Sequence, residues 1–273
     1  MRVYALAVYL FLYIPIGIIA VFSFNAGRNA TQLHGFSVQW YGKALSNPFV
    51  MDALQTSLVI ALASSLLATV FGTMAALALQ SVTGRLRLLM DALIYIAVMV
   101  PGIVIGIATL IAMVTLFGAL NPMVAALWPG DAPPQLAMGY GSAILAHGLF
   151  SMALVIIIVR ARISGMDRSL IEASGDLGAT PWGTFRQVTL PQIAPGVLAG
   201  FLLAFTFSFD DFIISFFVAG SQTTLPIYVF SSIRRGVTPE INAIGSMVLA
   251  VSLILLITAQ VMLRRGQRQQ STL

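Results

Sequence analysis

The chain of 273 residues is 59% hydrophobic and only 8% charged, with a mean hydropathy of +0.95. A water-soluble domain carries roughly 25% charged residues, so this composition excludes a globule whose whole surface faces water and makes lipid the main solvent. The net charge of +5 is no sign of nucleic acid, because the charges stand between the apolar blocks, where they orient a chain in a membrane.

A helix needs about 20 apolar residues to cross the hydrocarbon core. Such blocks run from Ala5 to Phe24, Thr56 to Leu79, Ala92 to Phe117, Tyr140 to Val159, Gly196 to Val218 and Ile241 to Leu263. Barrel strands would instead alternate over about ten residues. The expected fold is an all-α membrane protein, one six-helix domain over residues 1–273. Only Arg2 precedes the first block and no small-residue cleavage signal follows it, so it reads as a retained helix.

Orientation follows from Lys and Arg in the loops. With the N-terminus inside, one side holds Arg2, Arg85, Arg87, Arg160, Arg162, Arg168, Arg186, Arg264, Arg265 and Arg268. The other holds Arg28, Lys43, Arg234 and Arg235. Both termini and the loop from Arg160 to Pro195 are therefore expected in the cytoplasm. The loops Asn25 to Gln55, Gly118 to Gly139 and Ala219 to Glu240 are expected outside. Pro101-Gly102, Gly106 and Gly118 interrupt the third block, either for kinking and close packing or as a bend lining a pathway.

The segment from Met166 to Gly196 reads MDRSLIEASGDLGATPWGTFRQVTLPQIAPG. Ser169 with Glu172 has the spacing of a capping box. The helix it opens should run through Leu177, with Gly178 in the left-handed position beyond its end. Thr180-Pro181 suits the start of a second short helix, Thr as cap and Pro at the first position. Leu190-Pro191 should stop it, and Pro195-Gly196 should lead into the fifth span. Leu170, Leu177, Trp182 and Phe185 give the pair an apolar face, which suits a partner protein better than water.

Glu172-Ala173-Ser174, three residues, Gly178, nine residues, then Val188-x-Leu190-Pro191 resembles the EAA signature of ABC importer permeases. Ser174 stands where that signature has Ala, and Val188 where it has Ile. The resemblance implies a type I importer permease in a bacterial inner membrane, and a coupling helix docking in a dimer of ATP-binding subunits. Glu172, Ala173, Ser174, Gly178, Leu190 and Pro191 would form the coupling surface. No G-x-x-x-x-G-K-[ST] sequence occurs here. The chain is thus expected not to be an enzyme and to hold no cofactor, ATP and Mg being bound by the partner ATPase.

Asp210 and Asp211 fall in the fifth block, Asp210 about 21 Å beyond Gly196 at about 1.5 Å per residue. Intramembrane carboxylates cost roughly 2.5 to 3.5 kcal/mol each and mark functional positions by default. No Lys or Arg lies within the six blocks. Compensation must come from a water-filled pathway, a partner, protonation or a cationic substrate. Adjacent helical residues point about 100° apart, and which aspartate faces a pathway is open. Phe207, Phe209 and Phe212 could offer ring faces to an ammonium group or simply pack.

From SFDDFIISFFVAG through TLPIYVFSSIRRGVTPEINAIGSM the chain is similar to the spermidine/putrescine branch of these permeases, above all its C-type subunit. That resemblance implies a polyamine cargo, a second, related permease and an extracytoplasmic solute-binding protein. Phe209, Tyr228 and Glu240 join the aspartates as pathway candidates, although Glu240 also suits the start of the sixth helix. The alternatives are the same architecture for iron, thiamine or an anion, a secondary transporter, and an intramembrane enzyme. Two carboxylates disfavour an anion. Consecutive aspartates make no facing dyad. Without cysteines, and with only His34 and His147 far apart, no metal site or catalytic constellation is expected.

Overall fold

The computed structural model describes residues 2–28 and 32–270. The side chains of Arg2, Arg264, Arg265 and Arg268, part of the charge count for the inner side, lie outside the described residues. Helices dominate: α1 (Arg2–Phe22), α2 (Gln39–Ser46), α3 (Pro48–Ala78), α4 (Gly84–Met99), α5 (Gly102–Leu127) and α6 (Tyr140–Ser164) come first. α7 (Ser169–Asp176), α8 (Pro181–Thr184), a π-helical turn (Phe185–Thr189), α9 (Leu190–Asp210), α10 (Ile213–Val218), α11 (Leu225–Arg235) and α12 (Pro239–Gln270) follow. Among the described residues the only strand-like pairing is one isolated bridge, Asn25 with Phe36. The stretches Tyr4–Phe22, Pro48–Ala78, Gly102–Leu127, Tyr140–Ser164, Pro181–Asp210 and Pro239–Thr258 are long and apolar enough to cross a bilayer.

The number of spans agrees with expectation, but several boundaries do not. α3 starts at Pro48, eight residues before Thr56, because Asn47 opens it: its side-chain oxygen accepts from Phe49 N at 3.1 Å. The third block is two helices, since Val100 is extended ahead of Pro101, as the residue before a proline prefers. α5 then runs on to Leu127, beyond the expected end at Phe117. Gly106 and Gly118 do not interrupt it. Gly106 instead admits Phe217 of α10, whose ring would lie 2.7 Å from a Cβ there. The fifth block ends at Asp210, and α10 is a separate helix.

One compact unit comprises residues 1–57 and 223–254, the other 58–222 and 255–273. In the first, Asn25 organises the loop after α1. Its side chain donates to Gln32 O at 2.7 Å and accepts from His34 N at 2.8 Å, while Trp40 Nε1 donates to its carbonyl at 2.7 Å. The start of α11 is closed by Ser57, whose Oγ accepts from Leu225 N at 2.8 Å.

In the second unit α6 packs along α9. Val155, Ile156, Val159, Ile193 and Ala204 are buried there with Ala68 and Ala76 of α3. Lipid offers apolar chains no less than a protein core does, so close approach through small residues holds such helices together. Gly72 shows this: a Cβ would stand 2.9 Å from the Val155 side chain.

Candidate functional site

The α7–α8 pair is built almost wholly by local rules. Asp167, rather than the expected capping box of Ser169 and Glu172, opens α7: its Oδ1 accepts from Ser169 N at 2.9 Å. Ser169 is already helical, so its hydroxyl is one position too late to cap. The hydrogen bonds from Ser169 hold the Asp167 carboxyl below the ordinary carboxylate range. Gly178 follows the helix at φ +79°, a backbone position that opposes a side chain. Thr180 Oγ1 accepts from Gly183 N at 3.2 Å and Pro181 takes the first helical position. Ser174, the departure from the signature, has a partner in Thr184: their hydroxyls lie 3.0 Å apart and tie α7 to the end of α8.

The apolar side chains of this pair are presented outward. Leu177 is 88% exposed and Trp182 69%, with the Trp182 ring stacked 5.4 Å from Phe185. Leu190 and Pro191 do not stop the second helix, contrary to expectation, because the chain is helical from Pro181 through Asp210. A proline ring meets the carbonyl four residues back and offers no N–H. The π-turn, in which Leu190 N donates to Phe185 O, widens the helix just before Pro191. Pro195 likewise lies inside α9.

Three arginines used above only to count charge have specific partners. Arg160 forms a hydrogen-bonded ion pair with Asp91 of α4, and Arg87 stands 3.8 Å from the same carboxylate. Two residues on, Arg162 Nε donates to Gln192 O at 2.8 Å. Its stem lies on Gly196, where a Cβ would come within 2.8 Å of it. The last turns of α6 thus grip α4 and α9 together.

The interruption between α9 and α10 carries the aspartates. Asp211 is extended at ψ 119°, and its Oδ2 accepts from Ile214 N at 2.8 Å and Ser215 N at 3.2 Å. Two otherwise orphaned donors of α10 are satisfied that way. Thr206, Phe207, Asp210 and Asp211 line an open cavity of about 320 Å³. Phe209, expected in the pathway, is only 6% exposed and stacks 5.9 Å from Phe205. Two residues away the helix has turned about 200°, and Phe207, 47% exposed, lines the cavity instead.

Behind that cavity wall lies a buried polar chain. Ser64 Oγ of α3 is 2.9 Å from Ser208 Oγ of α9. Ser208 Oγ is 2.8 Å from His147 Nδ1, and His147 Nε2 is 3.0 Å from Ser215 Oγ of α10. The histidine is 1% exposed, with Asp211 Oδ2 at 3.7 Å. Sequence reading missed this chain, although in a continuous helix the seven-residue spacing of Ser208 and Ser215 would put both on one face. Tyr228 and Glu240 belong to the other unit, where Asn47 Nδ2 donates to Glu240 Oε1 at 2.9 Å and to Tyr228 OH at 3.4 Å.

A family model described as the binding-protein-dependent transport system inner membrane component matches residues 68–268. The chain is 37% identical over 263 residues to the putrescine transport system permease protein PotI of Escherichia coli (strain K12), covering 95% of this chain and 89% of that one. It is 34% identical over 259 residues to the spermidine/putrescine transport system permease protein PotC of the same strain, covering 94% and 91%. In structure it is similar to a chain of a bacterial ABC transporter that imports the acidic polysaccharide alginate. The TM-score is 0.69 at 16% identity, over 98% of this chain and 94% of that one. A chain of the inward-facing MetNI methionine ABC transporter gives 0.60 at 17% identity, over 81% and 99%. At such identities the structural likenesses bear on the fold alone.

Proposed function

The chain belongs to the family of binding-protein-dependent transport system inner membrane components, and on that premise we propose that it is one of two membrane-spanning subunits of an ATP-driven polyamine importer. Its relatives PotI and PotC, by their names, serve putrescine and spermidine/putrescine transport. The observation that carries the cargo reading is the cavity where Asp210 and Asp211 meet Phe207. The sequence holds no Lys or Arg from Gln187 through Ile233. Carboxylates beside an aromatic face suit an alkyl ammonium, which gains Coulomb attraction from the first and a cation–π contact from the second.

Force enters through the α7–α8 pair. Its exposed Leu177 and Trp182 supply an apolar surface for the ATP-binding subunits, which carry the ATP and Mg chemistry that this chain lacks the P-loop to perform. The unbroken helical run from Pro181 to Asp210 links that surface directly to the aspartates. Both termini and the α7–α8 pair lie in the cytoplasm, in keeping with the charge asymmetry. A soluble binding protein delivers cargo on the opposite side, a second, related permease completes the pathway, and nucleotide turnover alternates access between the two sides.

Uptake of radiolabelled putrescine by the reconstituted complex tests the cargo site. Asp210→Asn with Asp211→Asn should lower uptake about tenfold or more, the order expected for removing charges from a desolvated contact. Unchanged uptake in both single variants and in the double variant would remove the cavity from the pathway.

A further inference from the structure

Ser208 and Ser215 stand seven residues apart, about 10.5 Å along an unbroken helix at about 1.5 Å per residue. His147 nevertheless bonds both, with Nδ1 2.8 Å from Ser208 Oγ and Nε2 3.0 Å from Ser215 Oγ. The two nitrogens belong to one small ring. With hydrogen bonds of about 3 Å on either side, even a collinear arrangement spans no more than roughly 8 Å. The helix is interrupted between these serines, at Asp211-Phe212, so the one imidazole ties the end of α9 to α10 across the break.

The same interruption exposes the first N–H groups of α10, and Asp211 Oδ2 takes two of them. Straightening the joint would return those donors to helical carbonyls, strip the carboxylate of its partners and change the spacing of the two serines that the imidazole bridges. Ring, cap and break therefore stand together. Ser64 holds the far end of the chain through Ser208, so the imidazole is braced against α3 as well as carried on α6. The Asp211 carboxylate, 3.7 Å from Nε2, borders the cavity on its other side.

We infer that His147 is a positioning residue for Asp211: by tying Ser208 to Ser215 across the helix break, it sets where the carboxylate stands on the cavity wall and how well a cationic cargo is held there. This rests on the cargo site proposed above. His147 itself, buried behind the wall, does not touch cargo.

The test is a double-mutant cycle in the reconstituted complex, reading the KM for putrescine with the amount of assembled permease measured alongside. His147→Leu should raise KM roughly threefold or more, within the range of coupling between residues in one hydrogen-bond network. In the Asp211→Asn background the same change should have no further effect. Additive effects, or a lower maximal rate at unchanged KM, would overturn the inference and leave His147 a packing residue. Should His147→Leu fail to assemble, Ser215→Ala removes only the α10 hydroxyl and must raise KM, and His147→Gln, which keeps a donor and an acceptor, must stay near the parent. Failure of either overturns the inference. Asp211→Asn alone separates the two claims. An unchanged KM there defeats the inference and leaves the cargo site to Asp210, whereas a raised KM with an additive cycle defeats only the role of His147.

Discussion

The chain interrupts its helices in two contrasting ways on either side of α9. Between α7 and α8 the turn is exposed, and its parts lie close together in the chain: Asp167, Gly178, Thr180 and Pro181 each satisfy a neighbouring backbone group or supply a dihedral angle. Between α9 and α10 the break is half-buried and contains neither Gly nor Pro. It is held by Asp211 from within and by His147 and Ser64 from far along the chain. The first kind of break makes a rigid handle whose apolar side is free for a partner. The second makes a joint whose geometry is shared with two other helices, α3 and α6.

Substitutions in the handle should separate the two most sharply. Gly178→Val forces a β-branched residue to φ +79°, a strain of roughly 1–3 kcal/mol, or about 5- to 150-fold in the population of the native turn. ATP-driven uptake should fall accordingly, with normal amounts of chain in the membrane and an unaltered α9–α10 joint. Normal uptake in this variant would mean that the handle does not transmit force.

Trp182→Ala comes next. Its ring is 69% exposed, so the thermal stability of the solubilised chain should hardly move. Affinity for the ATP-binding subunits should fall by about 2 kcal/mol, or about thirtyfold, if the ring is an anchor of that interface. Unchanged affinity would take Trp182 out of the docking surface.

The smallest effect concerns Asp167. Its carboxyl lies below the ordinary value of 3.8 because Ser169 hydrogen-bonds the charged form. The folded-state pKa is depressed, so the contribution to α7 is complete above that value and is lost as pH falls through the lowered one. In a variant that keeps Trp182 while Trp40 and Trp128 are replaced, its fluorescence should stay flat from pH 8 to about 5. A change should come only below about pH 4. A transition near neutral pH would show that another group controls the handle.

Much of this was legible in the residues alone. Apolar run length decides how many times a helix can cross lipid, and the six blocks did so with errors at their ends and at the breaks within the third and fifth blocks. The glycine turn and the Thr-Pro start were equally plain, because a cap or a positive φ is a matter between residues a few positions apart. The EAA-like spacing is of the same kind. Where reading failed locally, the margin was small: Asp167 instead of Ser169 at the mouth of α7, or Pro191 absorbed by a π-turn instead of ending a helix.

What run length and local propensity could not decide is what the fifth block does at Asp211. Phe-rich sequence on both sides reads as continuous helix, and a break there is worthwhile only if the freed donors and the buried hydroxyls find partners. Asp211 takes the donors, but the hydroxyls find His147 and Ser64, residues 61 and 144 positions from Ser208, and only packing of α3 and α6 against α9 brings these near. The same packing turned Phe209 inward and Phe207 toward the cavity. Short-range dihedral and capping preferences are written residue by residue, but a buried polar contact exists only once distant helices have met, and that meeting belongs to the tertiary structure.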